Sequence, residues 1–295
     1  MDSKKIGVLC VLLASVMWAI EPILVRLSYA NSDFVQTTSI RVFFIALIAF
    51  AYSAARTKGN FKVPKKEFYV LFFIAISCTV LGELVFLYAI AKIPVVNVIM
   101  LSHLQPVFIA IIAFFILKKE KLSRHDYLGI FLMLFAGLLV STGTLENLFN
   151  FKIGTFWDFM VLVVAVIWAL GSVLVRKYLA NVDAGVIPFY RYGISAIIFA
   201  AYLVINSSFF ISNIYQVING IVIGIGIIFY YEGLKRIKAA QVAALELASL
   251  FFAAIFAYFI FGEKTTLMQI IGIIILFVGV YFLSRKEEHY DKKTD

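Results

Sequence analysis

Ionisable side chains occur inside long apolar stretches of this chain, where a charge is costly. The acids Glu21 and Glu83 and the base Arg41 fall in three separate apolar stretches. An ionised group deep in a hydrocarbon layer costs several kcal/mol unless it is paired or hydrated. These residues therefore mark either an ion pair that holds helices together or a site that binds a proton or a solute.

The helical rise places these three groups at one level. With the N-terminus inside, Glu21 and Glu83 lie roughly 22 Å above the inner ends of their helices, and Arg41 lies roughly 9 Å below the outer end of its own. Two interpretations stay open: an ion-paired cluster that joins the helices, or a left-over acid that exchanges a proton. Arg191 is a further ion-pairing candidate near the inner side, and we expect it to pair with Glu232.

A second pair of ionisable residues, His103 and Glu246, lies near the middle of two other apolar stretches. Each is roughly 11–12 Å from the nearer end of its helix, so both approach the midplane of a layer about 30 Å thick. The same two stretches carry side chains that can hydrogen-bond, which are Asn97, Ser102, Gln105 and Gln241. Polar contacts between helices would explain the pair, but substrate contact or proton exchange is the interpretation we favour.

Four aromatic residues recur in both halves of the chain and are candidates for lining the same cavity; they are Trp18, Trp168, Tyr88 and Tyr231. Anchoring at the membrane interface explains them equally well. With carboxylates and aromatic rings available, a cationic or zwitterionic organic substrate fits better than an anion. No cluster of His, Asp or Glu has the spacing of a metal or nucleophile site, so we expect no metal, no cofactor and no enzymatic activity.

Ten apolar stretches must position these residues. The chain has 295 residues, of which 63% are hydrophobic and 15% charged. Each stretch is near the roughly 20 residues that cross a bilayer core. The sequence therefore predicts an all-α integral membrane protein with ten transmembrane helices, at residues 6–27, 36–55, 68–91, 95–117, 127–144, 157–175, 185–206, 214–233, 239–261 and 267–283.

The sequence of the first fifth of the chain is repeated, with changes, in the second half. Residues 11–52 and 161–202, at an offset of 150, are identical at sixteen of forty-two positions, including the rare types Trp, Arg, Asn, Asp and Tyr. Further matches follow at an offset of 143, and this offset also relates His103 to Glu246. The pattern predicts two five-helix repeats, residues 1–150 and 151–295. Because five is odd, the second repeat is inverted in the membrane, as in many secondary transporters.

The basic residues indicate the orientation. With the N-terminus inside, the inner segments carry 20 of the 26 Lys and Arg residues and the outer segments carry four. This bias predicts cytoplasmic termini and a location in the cell membrane. The net charge of +9 follows from this bias and does not indicate nucleic-acid binding. The expected partners are a small organic solute, protons and membrane lipids, and we expect a monomer or a weak homodimer.

The chain resembles an EamA-type member of the drug/metabolite transporter superfamily over nearly its whole length. The resemblance rests on the two five-helix halves, the W-A…V-R pattern in stretches one and six, Arg41 and Arg191, Gln105-Pro106-Val107-Phe108 followed by Glu120, and Leu250-Phe251-Phe252-Ala253-Ala254 followed by Gly262-Glu263. Such families usually show an acid–proline pair where this chain has Gln105-Pro106 and Ser249-Leu250. The resemblance implies a ten-helix carrier that works by alternating access. The superfamily covers amino acids, nucleobases, sugars, polyamines and drugs.

The expected function is secondary transport of a small organic metabolite, such as an amino acid, an amine or a drug-like solute, by a proton-coupled or facilitative carrier. A lipid-carrier flippase is an alternative, and it would have a lateral opening and a weak dependence on a proton gradient. A membrane scaffold or receptor is an alternative of another class, but it would need a soluble binding domain or long loops that bind partners. The repeat of Trp and Arg favours transport.

Overall fold

The fold is built from apolar α-helices, and no strand occurs among the residues that the structure describes. A computed structural model describes residues 3–57, 61–117, 124–150, 154–183, 185–206, 210–234, 236–237, 242 and 245–291. The helices are α1 (Ser3–Ser28), α2 (Phe34–Thr57), α3 (Lys65–Ile74), α4 (Gly82–Ile90), α5 (Val95–Ser102), α6 (Gln105–Leu117), α7 (Arg124–Thr142), α8 (Leu145–Phe149), α9 (Phe156–Tyr178), α10 (Val186–Ile205), α11 (Ile214–Leu234), α12 (Ala248–Phe261) and α13 (Leu267–Asp291).

Several of these helices, alone or as consecutive helices in one segment, are long and apolar enough to cross a membrane. Within the described ranges, eight helical segments meet that requirement, and two shorter apolar helices, Ala248–Phe261 and Leu267–Phe282, follow them in the chain. The prediction of an all-α membrane protein is confirmed. Ten crossings and an inverted second repeat stay predictions, because α12 and the apolar part of α13, Leu267–Phe282, are shorter than the other apolar segments.

Three of the predicted stretches are interrupted rather than continuous. Residues Ala75–Leu81 form a π-helical segment between α3 and α4. The fourth stretch breaks at His103 and Leu104, because Pro106 has no N–H to donate to the Ser102 carbonyl. The ninth stretch breaks at Leu247, just before α12 begins. The sequence analysis did not predict these interruptions, nor the short helix α8.

The helices of the two predicted repeats interleave. Helix α1 packs on α11 and on α12. The corresponding helix of the second half, α9, packs on α4 and on α6. Corresponding helices also pack on each other, α2 on α10, α5 on α12 and α7 on α13. The core is therefore built from helices of both halves.

Glycines allow α11 to approach its neighbours closely, as the sequence predicts for its small residues. A Cβ atom on Gly220 would lie 2.6 Å from the Arg41 carbonyl oxygen. A Cβ atom on Gly233 would lie 2.3 Å from Cγ2 of Val11. Because real Cβ atoms do not come so close to other atoms, larger residues at these positions would push α11 away from α1 and α2.

The outer surface of the bundle is strongly apolar. Large hydrophobic side chains are exposed all around it, for example Phe115 at 69%, Ile197 at 72% and Phe259 at 79%. A water-soluble monomer rarely exposes a contiguous apolar surface of this extent. In a bilayer these side chains contact lipid tails.

The orientation of the bundle can be tested by cysteine labelling. We expect single cysteines at Lys65 and Arg124 to react with a membrane-impermeant maleimide only from the cytoplasmic side, and cysteines at Asn31 and Lys264 only from outside. All four positions are exposed, and the background would lack the free cysteines Cys10 and Cys78. Labelling of Lys65 and Asn31 from the same side would contradict the orientation that the basic residues predict.

Candidate functional site

Four charged side chains form one buried cluster in the core of the bundle. Arg41 of α2 donates to Glu21 of α1 and, at 2.8 Å, to Glu83 of α4. Arg191 of α10 lies 3.6 Å from the other carboxylate oxygen of Glu83 and donates to the Thr79 hydroxyl at 2.8 Å. The side chains of Arg41 and Glu83 are only 3% and 4% exposed.

The cluster contains two acids and two bases, which corrects two expectations. Arg191 does not pair with Glu232 but joins Glu83 from the second half of the chain. The left-over acid expected from Glu21, Glu83 and Arg41 is therefore balanced by a second guanidinium. Glu83 forms ion pairs with both arginines and is therefore the central member of the cluster. Breaking a buried pair of this kind leaves an uncompensated charge.

The backbone next to this cluster is irregular. Thr79, which binds Arg191, lies in the π-helical segment that precedes Glu83. One extra residue per turn rotates the following residues around the helix axis, and π-helical segments are frequent at functional sites. This rotation helps to direct Glu83 towards the two arginines of α2 and α10.

A second polar centre lies where the fourth and ninth stretches are interrupted. The ring of His103 follows the last turn of α5, and its Nε2 lies 3.0 Å from the Ser249 hydroxyl oxygen of α12. Its Nδ1 lies 2.8 Å from the Ile99 carbonyl oxygen. The Ser249 hydroxyl also donates to the Glu246 carbonyl oxygen at 2.7 Å. Both interrupted stretches are therefore joined by side-chain hydrogen bonds.

Glu246 is the least satisfied acid in this part of the core. Protein atoms surround it, yet its side chain stays partly accessible. Among the described residues, its carboxylate has no hydrogen-bond donor and no basic partner. The Tyr230 ring of α11 is close enough to interact with it electrostatically. A carboxylate in such a place is costly unless it meets a cation, a proton or water.

Aromatic side chains connect the two centres. Tyr230 packs on Trp18 of α1, with ring centroids 5.2 Å apart. Its neighbour Tyr231 lies 5.7 Å from it and interacts electrostatically with Arg191. Tyr230 thus interacts electrostatically with Glu246, and Tyr231 interacts with Arg191 of the ion cluster. Trp18 lies one helical turn before Glu21, so the same two helices line both centres.

Several predicted site residues lie elsewhere. Tyr88 packs against Phe34 and Trp157, and Asn97 is bonded to Asp158 and Gln269. The indole of Trp168 donates to the Cys78 carbonyl oxygen at 3.0 Å. These three side chains are engaged in packing away from His103. Gln105, two residues after His103, donates to Ser172 at 3.2 Å, and Gln241 falls outside the described residues.

At one end of the bundle, Arg26 ties three parts of the chain together. Its guanidinium donates to the Ile90 carbonyl oxygen at 2.8 Å and to the Ile93 carbonyl oxygen, and it pairs with Glu263. Glu263 in turn accepts from the Val95 N–H at 3.0 Å. The last turn of α1 is thereby connected to the α4–α5 turn and to the turn between α12 and α13.

The opposite end carries a different ion network. Glu232 of α11 accepts from the Tyr52 hydroxyl at 2.6 Å and pairs with Arg56 and Arg236. Arg56 also binds Asp183 at 2.9 Å. Partial burial raises the pKa of the Asp183 carboxyl, but the Gly185 N–H and the Arg56 guanidinium outweigh burial and lower it. This bridge is therefore fully formed at neutral pH and weakens only as the pH falls below the ordinary range of an aspartate.

Sequence reasoning missed Ser249 and Tyr230. Ser249 stands where such families usually have the acid of their acid–proline pair, so the departure from that pattern was the available signal. Tyr230 is adjacent to Tyr231, but only the helix packing shows that it faces Glu246.

Comparison with known proteins decides the class of this molecule. The model of the EamA-like transporter family matches residues 5–142 and again residues 155–285. The chain belongs to the EamA-like transporter family. It is therefore a multi-pass membrane transporter and not an enzyme.

Relatives of this EamA-like protein are also named as transporters. An uncharacterized transporter of Methanothermobacter thermautotrophicus is 26% identical over 228 residues. The match covers 75% of this chain and 66% of that relative, which is just under two thirds of its length. One from Synechocystis is 25% identical over 79% of this chain and 70% of its own length. The riboflavin transporter ImpX of Fusobacterium nucleatum is 26% identical over 97% of this chain and 99% of its own.

A solved crystal structure has the same fold. It superposes with a TM-score of 0.66 at 16% sequence identity and covers 96% of this chain and 98% of that one. At this identity the likeness concerns the fold alone.

Proposed function

We propose that this EamA-like transporter moves a small cationic or zwitterionic organic solute across the cytoplasmic membrane by alternating access, driven by a proton gradient. The observation that carries the proposal is Glu246. It is a partly accessible carboxylate that has no basic partner among the described residues, at the break of one helix and near the Trp18–Tyr230 pair. Transporters place substrate near the midplane at the interface of their repeats, often between interrupted helices.

The chemistry of this centre favours a positively charged group on the solute. A cation beside Glu246 would compensate the buried carboxylate, and the faces of Trp18 and Tyr230 would add cation–π attraction. The nearby guanidinium groups of Arg41 and Arg191 are bound to other acids of the protein, so they would not compete with the solute for Glu246.

The arrangement of the helices supports two inverted repeats. The contacts of α1 with α11 and α12 correspond to those of α9 with α4 and α6. A two-fold axis in the membrane plane would relate these contacts and would bring His103 and Glu246 to a shared central position. Ten crossings would put both termini on the same side, which the basic residues predict to be the cytoplasm, and the Arg26 end of the bundle would then lie outside.

A binding screen tests the solute class. Purified protein would be scanned for thermal stabilisation by tyramine, lysine and riboflavin, followed by flux of each hit into liposomes with and without a pH gradient. Tyramine carries both a ring and an amine, so we expect it to stabilise the protein more than lysine. Flux that is the same with and without a pH gradient would contradict proton coupling. If neither tyramine nor lysine stabilises the protein, the proposed solute class is wrong.

A neutral planar heterocycle is a second candidate, because one relative is named as a riboflavin transporter. Such a solute would stack on Trp18 and Tyr230 and would not need the charge of Glu246. Riboflavin would then bind equally well to the parent and to Glu246→Gln, whereas tyramine binding would distinguish them.

Alternating access makes a prediction for the Arg26 end. Glu263→Gln keeps an acceptor for the Val95 N–H and removes the charge that pairs with Arg26. We expect this end to open more often, because the ion pair links α1 to the turn that follows α12. Spin labels on cysteines at Asn31 and Lys264 would show longer distances by pulsed electron paramagnetic resonance.

The control for this experiment is Glu146→Gln, which changes an exposed acid on α8 and is expected to leave the distances unchanged. The exchanged pair Arg26→Glu with Glu263→Arg is expected to restore part of the closed population. An unchanged distance distribution in Glu263→Gln would show that the Arg26–Glu263 pair does not hold this end closed.

A further inference from the structure

His103 is held in a way that defines where it can take up a proton. Its Nδ1 faces the Ile99 carbonyl oxygen at 2.8 Å, and a carbonyl oxygen can only accept a hydrogen bond. Nδ1 therefore carries a hydrogen, and Nε2 is the nitrogen that gains or loses a proton. Nε2 faces the Ser249 hydroxyl at 3.0 Å and lies within reach of the Glu246 carbonyl.

The Ser249 hydroxyl has one hydrogen to donate and two possible acceptors, Nε2 of His103 and the Glu246 carbonyl oxygen. With neutral His103, the hydroxyl can donate either to Nε2 or to the Glu246 carbonyl, and the other acceptor is left without a donor. With protonated His103, Nε2–H donates to the hydroxyl oxygen, and the hydroxyl hydrogen goes to the Glu246 carbonyl at 2.7 Å. Only the protonated state satisfies the whole chain of groups.

The Glu246 carbonyl matters because the helix break leaves it without its usual partner. In a continuous helix the Leu250 N–H would donate to it, but here that N–H donates to the Leu247 carbonyl at 3.1 Å. The Ser249 hydroxyl takes the place of the missing donor. When His103 loses its proton, the Ser249 hydroxyl can donate to Nε2 instead of to the Glu246 carbonyl. The carbonyl would then lose its donor, and the backbone at the break of the ninth stretch, next to the Glu246 carboxylate, would be free to change conformation.

Other charged groups do not share this role. Glu21 and Glu83 are bound to Arg41 and Arg191. Asp158 of α9, which packs on α5, binds Asn97 at the far end of that helix, and Asp126 lies at the start of α7. Among the described residues, His103 meets Glu246 through the backbone carbonyl of that residue, and the Glu246 carboxylate in turn interacts electrostatically with Tyr230 of α11.

We propose that His103 is the proton-coupling residue of this transporter and that its protonation, relayed by Ser249, sets the conformation of the ninth stretch at Glu246. A proton from water that reaches the partly accessible His103 ring binds Nε2, and it leaves by the same atom after the bundle has opened to the other side. No other bond is made or broken. The inference rests on the proposed function and replaces Glu21 and Glu83 as the proton site.

The protonation of His103 can be measured without a solute. Full-length protein with ¹⁵N-labelled histidine, purified through a tag without histidine, would be placed in nanodiscs and followed by nitrogen NMR as the pH is lowered. We expect a neutral ring with hydrogen on Nδ1 that becomes doubly protonated. His103→Gln assigns the signal, and Ser249→Ala is expected to move its titration midpoint. A ring with hydrogen on Nε2 that does not titrate would overturn the proposal.

Flux measurements test the coupling. In liposomes, His103→Gln is expected to lose accumulation of tyramine driven by a pH gradient but to keep tyramine exchange at equal concentrations, since exchange needs no net proton movement. The matched control is His125→Gln, an exposed histidine that stacks on Phe282, and it is expected to behave as the parent. Undiminished accumulation in His103→Gln would overturn the proposal, as would loss of exchange together with accumulation in folded protein.

The two arms separate this inference from the proposed function. If tyramine does not move at all, the proposed solute class fails, and the nitrogen spectra still decide whether His103 titrates at Nε2. If the His103→Gln variant still accumulates tyramine in response to a pH gradient, the proposed function stands and the assignment of His103 fails.

Discussion

Replacing Glu246 by glutamine is expected to weaken tyramine binding roughly 10- to 100-fold, the size of a lost hydrogen bond to a charged group. Glutamine keeps the shape of the side chain and removes its charge, so a solute cation loses its partner while the Trp18–Tyr230 pair is unchanged. Because Glu246 has no partner of its own among the described residues, we expect the substitution to leave the stability of the protein unchanged or to increase it. Equilibrium binding to purified protein in detergent measures the effect.

The matched control for Glu246→Gln is Glu146→Gln. Glu146 is an exposed acid on α8, far along the chain from both polar centres, and its loss is expected to change neither binding nor stability. If Glu246→Gln bound tyramine as tightly as the parent and transported it at the same rate, the interrupted ninth stretch would not be the binding wall. A strongly destabilised Glu246→Gln would indicate that the carboxylate has a structural role.

Replacing Glu83 by glutamine is expected to destabilise the protein by about 3 kcal/mol or more, because one acid would be left to balance the buried guanidinium of Arg41 and the partly buried one of Arg191. Glu21→Gln is expected to cost less, since Glu21 is more exposed, at 12% against 4%, and binds Arg41 alone. Unfolding in detergent, followed by tryptophan fluorescence, would compare the two variants. Equal and small losses in both would contradict the central place of Glu83.

A double variant makes this prediction specific. Glu83→Gln combined with Arg191→Gln removes one acid and one base and leaves the Arg41–Glu21 pair intact. We expect the double variant to be more stable than Glu83→Gln alone, with a coupling energy of the order of 1–3 kcal/mol. Additive losses would show that Arg191 and Glu83 do not interact in the native protein.

The two predictions distinguish the roles of the two centres. The ion cluster is charge-balanced and buried, so its variants are expected to change stability before they change the pH dependence of transport. The His103–Ser249–Glu246 centre is partly accessible and incompletely bonded, so its variants are expected to change binding and coupling while the fold persists. Proteins commonly concentrate such unsatisfied groups at functional sites.

Much of the fold follows from the sequence because the signals are local. A membrane helix needs about 20 consecutive apolar residues, and the repeat of Trp18, Arg26 and Arg41 at one offset marks two related halves. The shared level of Glu21, Glu83 and Arg41 followed from the rise per residue alone. The structure indeed joins these three side chains.

The interruptions were harder to predict. Pro106 explains the break after Ser102, but hydrophobic patterns treat the stretch as continuous because the apolar run does not change there. The π-helical segment before Glu83 and the break at Leu247 have no proline at all. Their positions depend on hydrogen bonds made with other helices, such as that of Arg191 with Thr79.

By itself the sequence determined that this protein is a bundle of membrane helices in two related halves, and which charged residues lie inside it. Hydropathy and helical rise fix position along the membrane normal, and they say nothing of which faces of distant helices meet. Only the tertiary structure decided that Arg191 balances Glu83, 108 positions away. It also decided that His103 bonds to Ser249 and that Glu246 has no basic partner within the part of the chain that the structure describes. Those pairings depend on the lateral packing of α4, α10 and α12 in the bundle, because the interaction between two charges depends on their distance in space and not on their separation in the sequence.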